Sequence, residues 1–391
     1  MIRFSVLIPY YNGVRYIAET VQSVLNQSYG DYEIIIVDDC SPDWENNRFS
    51  EYPLDDPRIR FIRRKENGGT LQARKDAVLA ASGDYILFLD QDDSLTPRAM
   101  SGISACLEEQ PVDILHFPAK VIAESEAAQD AAAGMSSFVT PPPRSLEGSE
   151  ILRYQFLEEG GFDFHIHHKA IKRSLAKAAW KNVSADNRLA MADDLYICFI
   201  LDSIAGSYRA VPAPIDRVEW YEYHLGRGDT LGSHYDFLQY KRFCASDALA
   251  YNALVEYVEA VSGRIKRDDW ADRLSDARDR LVSHSLNEMA DNLPLELRDD
   301  AISYALEKWA PDAVAGELYR FVRDEAYSLY AAKKYPKKSD RLFKFVEQAR
   351  FADRRVGLSR SSRYKEMKEA AERHLADLQG VRPFYRKRLT F

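Results

Sequence analysis

From Phe4 to about Phe117 the chain alternates short apolar runs with stretches whose apolar residues recur every three or four positions. The runs "FSVLIPY", "YEIIIVDD", "RIRFIRR", "DYILFLD" and "DILHFPA" are rich in Ile, Val, Leu and Phe and read as strands. Between them, "VRYIAETVQSVLNQ", "TLQARKDAVLAA" and "PRAMSGISACLEEQ" have helical spacing. Strand and helix in regular alternation predict an α/β fold, a mostly parallel sheet with helices on both faces. Such sheets bind ligands just past the carboxyl ends of their strands. The pattern therefore predicts that Pro9-Tyr10-Tyr11, Asp38-Asp39 and Asp90-Gln91-Asp92-Asp93 meet along one edge.

Residues from about Ala123 to Arg144 are small and polar and end in prolines, which predicts a loop or a hairpin insertion. Helical patterns return at "SEILRYQFLEE", "KRSLAKAAW" and "ADDLYICFILDSIA", with short strands expected near Tyr208–Val211 and Val218–Tyr223. Beyond Ser233 the chain changes to long, charged, amphipathic helices. The expected division is an α/β domain over 1–232 and an all-α region over 233–391.

Composition narrows the function. With 391 residues, 46% of them hydrophobic, the chain can bury sizeable cores without covalent staples. A formal net charge of -8 disfavours nucleic acid as a partner. Cys40, Cys106, Cys198 and Cys244 lie far apart with no Cys-x-x-Cys spacing, so neither a zinc ribbon nor a disulfide framework is expected, and a reducing cytosol fits best. The start "MIRFSVLIPYYN" lacks signal-peptide features and no run is long enough to cross a bilayer, so a cytoplasmic protein is expected, soluble or lying on the inner face of the plasma membrane.

The candidate chemistry sits at the strand ends. In "LDQDD" the carboxylates of Asp90, Asp92 and Asp93 are crowded, and a divalent hard cation with open positions for a diphosphate would neutralise them. Alone, the same residues read equally well as a solvated turn before a helix capped by Ser94 or Thr96. Asp39 offers acceptor oxygens for a base N–H or a ribose hydroxyl, although Asp39 onward also reads as a turn. Asn67-Gly68-Gly69 precede a helix bearing Arg74, a flexible start and a cation suited to a nucleotide diphosphate. Asp193 and Asp194 open a helix apolar enough to be buried; by themselves they would be ordinary helix-start carboxylates.

Taken in order, "VLIPYYN", "SVLNQSYGDYEIIIVDD", "NGGTLQARKDA…ASGDYILFLDQDD" and "ADDLYICF" resemble the family 2 glycosyltransferases of the GT-A fold, over roughly the first 230 residues. The resemblance implies an inverting transferase that uses Mn²⁺ or Mg²⁺ and a nucleotide diphosphate sugar, usually a UDP-sugar. Its acceptor would be a hydroxyl of a glycan or lipid-linked glycan in surface polysaccharide synthesis. It puts Pro9 and Tyr11 against the nucleobase, Asp39 on the base's polar edge, and Asn67 and Arg74 near the nucleotide. Asp90 falls toward ribose and metal, Asp92 becomes the metal ligand and Asp194 the catalytic base. Asp193, His165, His168, His224 and Arg227 are carried to the acceptor side, where His224 or Arg227 would contact the diphosphate or metal unless they belong to a plain surface loop.

This chain departs from the family pattern at Cys40, where glycine is usual, at Lys75, where asparagine is usual, and at Asp193, where glutamate is commoner. In "FDFHIHHKAIKRS", His165, His167 and His168 invite a metal reading because imidazoles at alternate positions share a strand face, yet no fourth ligand follows at a sensible spacing, and the resemblance puts this region on the acceptor side, which implies sugar-hydroxyl contacts instead. His116 reads as a satisfied core histidine. The basic runs "AAKKYPKKSDRLFKF" and "RPFYRKRLTF" suit an anionic bilayer or a plain solvated surface, and the helical region equally suits a homo-oligomer interface. Two other readings are weighed. A nucleotidyltransferase would want a glycine-rich, lysine-bearing loop after the first strand, where "PYYNGVRY" stands, and an inactive sugar-binding scaffold would not need both Asp92 and Asp194.

Overall fold

The computed structural model describes residues 1–42, 56–157, 163–183, 189, 191–212, 219–227, 236–334, 341–358 and 360–380. They fall into two units, Met1–Gly232 with Asn252–Leu274, and Ser233–Tyr251 with Ser275–Phe391.

The first unit is built from strands β1 Phe4–Tyr10, β2 Tyr32–Asp38, β3 Ile59–Arg63, β4 Tyr85–Phe88, β5 Ser94–Leu95, β6 Ile114–His116, β7 Ala119–Ala123, β8 Arg144–Glu147, β9 Lys169–Lys172, β10 Ser207–Ala210 and β11 Tyr221–Leu225. Its helices are α1 Ile17–Leu25, α2 Thr70–Ala80, α3 Ala99–Glu109, α4 Glu126–Phe138, α5 Ser149–Leu157, α6 Arg173–Trp180 and α7 Asp193–Ile204. Eight strands form one sheet in the order β3-β2-β1-β4-β9-β6-β10-β8. Strands β3, β2, β1 and β4 run parallel, β9 lies antiparallel between β4 and β6, and β8 closes the far edge antiparallel to β10. Every residue of β1 is buried, as a strand covered on both faces requires. In α1 the buried Ile17, Val21 and Val24 recur at helical spacing, while α7 is buried along most of its length. A smaller sheet, β5-β11-β7, crosses the end of the first beside the Asp90–Asp93 turn.

Two expectations change. The stretch expected as a loop or hairpin contains α4, because Ser125 caps it by accepting from Ala128 N–H and the run "EAAQDAAAGM" is rich in strong helix formers. Residues 163–168 form a turn that leads into β9 rather than a strand, so His165 and His167 are placed by local turn geometry and not by strand alternation.

The second unit is helical, with α8 Phe237–Val261, α9 Trp270–Asn292, α10 Arg298–Lys308, α11 Pro311–Ala331, α12 Arg341–Asp353 and α13 Ser362–Gly380; the division between the units falls inside α8 and α9. In its interior, buried Glu317 accepts from Ser283 Oγ at 2.5 Å and from Arg363 at 3.2 Å. Among the described residues no helix is long and apolar enough to cross a membrane. The basic segments 335–340 and 381–391, central to the bilayer expectation, lie outside the described residues.

Candidate active site at the carboxyl edge of the sheet

Because β1, β2 and β4 are parallel and in register, their carboxyl ends deliver Tyr10-Tyr11, Asp38-Asp39 and Asp90–Asp93 to one edge. Gly69 caps α2 with φ 84°, a conformation that favours glycine, and the backbone N–H groups of Gly68 and Gly69 both point at Asp39. Asp39 accepts from Gly69 at 2.7 Å, from Gly68 at 3.0 Å and from Arg64 at 2.5 Å, while its carbonyl accepts from the Asn67 side chain at 3.3 Å. Asp39 thus fixes the 67–69 turn as well as facing the edge. Arg64, which also reaches Asp76 at 2.8 Å, was not singled out by sequence; its spacing from the glycine turn was the only signal. Cys40 has φ 61°, which is why glycine is the usual residue there.

Arg74 is the centre of the constellation. Its side chain is buried on α2 and donates to Asp90 at 2.9 Å, to Asp193 at 3.1 Å and to Asp194. Burial disfavours the guanidinium charge, but the fields of Asp194, Asp90 and Asp193 outweigh it and hold its pKa above the ordinary value. The resemblance placed Arg74 near the nucleotide; here it binds the carboxylates of the turn after β4 and of the start of α7 together. Burial first, and then the neighbouring Asp194 and Asp90 against the pull of Arg74, push Asp193 up to about 7. The remaining oxygen of Asp194 accepts from Ile166 N–H at 3.2 Å. Ala192, at φ 63°, turns the chain into α7 so that both carboxylates face Arg74.

The three aspartates after β4 are not equivalent. Asp93 is buried, accepts from the Tyr221 hydroxyl at 2.6 Å and from His224 N–H at 2.8 Å, and so fastens the turn to β11. Burial, then Asp92 and Asp90, raise its pKa well above the carboxylate range. It does not cap a helix, and neither Ser94 nor Thr96 does; Ser94 belongs to β5 and α3 starts after Arg98. Asp90 and Asp92 remain half-exposed on the turn. Gln91 grips the Tyr11 backbone, accepting from its N–H at 2.9 Å and donating to its carbonyl at 3.1 Å, which leaves the Tyr11 ring exposed, whereas Pro9 is buried within β1.

His224 is buried in β11 and Arg227 is half-buried just beyond it, both held by acidic partners. His224 Nδ1 is 2.6 Å from Glu124, and Arg227 reaches Glu124 at 2.8 Å and Glu19 at 3.0 Å, with its guanidinium 4.9 Å over the Tyr16 ring. His165 is half-buried and stacks on Phe164 with centroids 5.0 Å apart. His168 is a correction: it is fully buried against His116 and cannot line an open acceptor cleft. Asp163, which receives His116, His165 and His168, was missed because no motif marks it.

The fold and this edge define a GT-A-like architecture, a mostly parallel half-sheet with a carboxylate-bearing turn at its end. Residues 5–180 match the model of Glycosyl transferase family 2. The crystal structure of S. aureus TarS 1-349 in complex with UDP superposes with a TM-score of 0.53 at 18% identity, covering 95% of this chain and 91% of that one. Glycosyltransferase GlyG of Streptococcus pneumoniae serotype 4 is 32% identical over 111 residues, 28% of this chain and 37% of that protein. Chondroitin synthase of Escherichia coli is 41% identical over 110 residues, 28% of this chain and 16% of that protein. The chain thus matches 37% and 16% of the lengths of these two relatives.

Proposed function

We propose that the protein is an inverting glycosyltransferase that moves a sugar from a UDP-sugar to a hydroxyl of a glycan or lipid-linked glycan in surface polysaccharide synthesis. The observation that carries this reading is the Arg74 junction, which joins Asp90 to Asp193 and Asp194 across more than a hundred positions of sequence at the carboxyl edge of the sheet. The resemblance and the UDP held by TarS favour uridine as the nucleotide.

In this reading the exposed ring of Tyr11 stacks on the base and Asp39 receives its polar edge, with Pro9 supporting from within β1. Asn67 and the 68–69 turn border the diphosphate. Asp194 removes the proton from the acceptor hydroxyl as that oxygen attacks the anomeric carbon from the face opposite the diphosphate, so one displacement inverts the centre. Ile166 N–H and Arg74 fix the carboxylate's direction, and Arg74 holds Asp90 toward the ribose. Half-exposed carboxylates on a turn form the donor set of a hard divalent cation, so Asp92, with Asp90 beside it, would hold Mn²⁺ or Mg²⁺. When bound, the ion would stabilise charge on the departing diphosphate.

The test is a panel of nucleotide sugars scored for metal-dependent binding and hydrolysis by the wild type and by Asp92→Ala. One UDP-sugar should bind with a clear metal requirement that the variant loses. Absence of binding across the panel, together with an unchanged Asp92→Ala, would overturn the assignment.

A further inference from the structure

Behind the candidate active site, two histidines from separate elements converge on one carboxylate. Asp163 Oδ2 is 3.1 Å from Nε2 of His116, on β6, and in contact with Nε2 of His168, in the 163–168 turn. One ligand-type atom from each residue lies within 4.8 Å of the others, and all three residues are buried. Zinc bonds of about 2.0–2.1 Å in tetrahedral geometry put neighbouring ligand atoms about 3.3 Å apart, close to the His116–Asp163 spacing, whereas the tighter His168–Asp163 contact has to open to admit an ion.

The carboxylate is divided in its contacts. Oδ1 accepts from His165 N–H at 3.0 Å, lies 3.0 Å from His165 Nδ1 and stands 4.0 Å from Lys169 Nζ. Oδ2 is left to the two imidazoles. The Lys169 ammonium donates to the carbonyl oxygens of Asp163 and His165. His116 is backed at Nδ1 by the Tyr208 hydroxyl, 2.6 Å away, the kind of outer contact that orients a metal-bound imidazole. Among the described residues neither ring nitrogen of His168 has a hydrogen-bond partner, and its Nε2 stands against the Asp163 carboxylate.

We propose that His116, Asp163 and His168 form a buried divalent-metal site of the zinc class, distinct from the carboxylates at Asp90 and Asp92. Two imidazoles and one carboxylate oxygen form a borderline donor set that suits zinc better than Mg²⁺ or Ca²⁺. The site staples β6 to the turn that presents Ile166 N–H to Asp194 and the Phe164 carbonyl to the Cys198 thiol, 3.1 Å away on α7. Its role is structural, and it stands whether or not the proposed sugar transfer is correct.

The experiment uses the full chain without nucleotide and zinc as the probe. After exposure to zinc and dialysis, metal analysis should find about one zinc per chain in the wild type and in Asp92→Ala. His168→Gln should lose it. Returning zinc to chelator-treated wild type should raise Tm, and Co²⁺ in its place should give the visible absorption of a low-coordinate nitrogen and oxygen site. These wild-type readouts do not depend on the variant folding. A wild type that retains no zinc and shows no Tm shift overturns the inference, as does stoichiometric zinc retained by folded His168→Gln and His116→Gln.

Discussion

At the scale of single residues, the site is a set of carboxylates separated by environment. Asp93 is buried against Tyr221 and His224, Asp193 shares Arg74 and is pushed up to about 7, and Asp194 is held between Arg74 and Ile166 N–H. Asp194→Asn preserves the volume and the acceptor oxygen but removes the proposed base. We expect its kcat to fall by about 10²–10⁴ while donor affinity changes little, measured by turnover and by calorimetric titration of the nucleotide sugar. A large loss of donor affinity would instead make Asp194 a binding residue. Sequence reading marked Asp194 and Arg74 separately. It could not pair them, because a partner 120 positions away is invisible until the fold brings Arg74 of α2 to the start of α7.

At the scale of elements, periodicity located the strands and helices because burial on a sheet face or a helix stripe demands it. It failed at α4, where turn-like composition outweighed a short alanine-rich run with a capping serine. Ser125→Ala removes the side-chain acceptor for Ala128 N–H. It should cost about 1 kcal/mol, read as faster amide exchange over 126–138 with the sheet unaffected. The same limit explains the histidines. Their alternation suggested one strand face, but the turn sends His168 into the interior with His116 and leaves His165 half-buried.

At the scale of the whole molecule, the second unit carries its own buried polar interior. Asp247 accepts from Ser285 Oγ at 2.6 Å and lies 3.0 Å from His284 Nδ1. Burial disfavours the imidazolium, yet Asp247 outweighs it and raises His284 to about 9. A histidine near pH 6.5 in the unfolded chain and about 9 in the fold stabilises the fold fully below pH 6.5, and loses that contribution as pH rises through 9. Denaturant unfolding should therefore show a loss of roughly 1–3 kcal/mol between those limits in the wild type. His284→Gln should remove that slope, and a slope unchanged in the variant would assign it elsewhere.

The sequence by itself determined the alternating α/β unit, the helical remainder and the convergence of three polar clusters on one sheet edge. Those follow from local periodicity and from the rule that a parallel sheet presents its strand ends together. Only the tertiary structure decided which carboxylates share Arg74, that Asp93 turns inward to β11, and that Asp163 gathers His116 and His168. Each of these depends on contacts between residues far apart in the chain, and a charged side chain is assigned its role by what lies within a few ångströms of it, which no local pattern encodes.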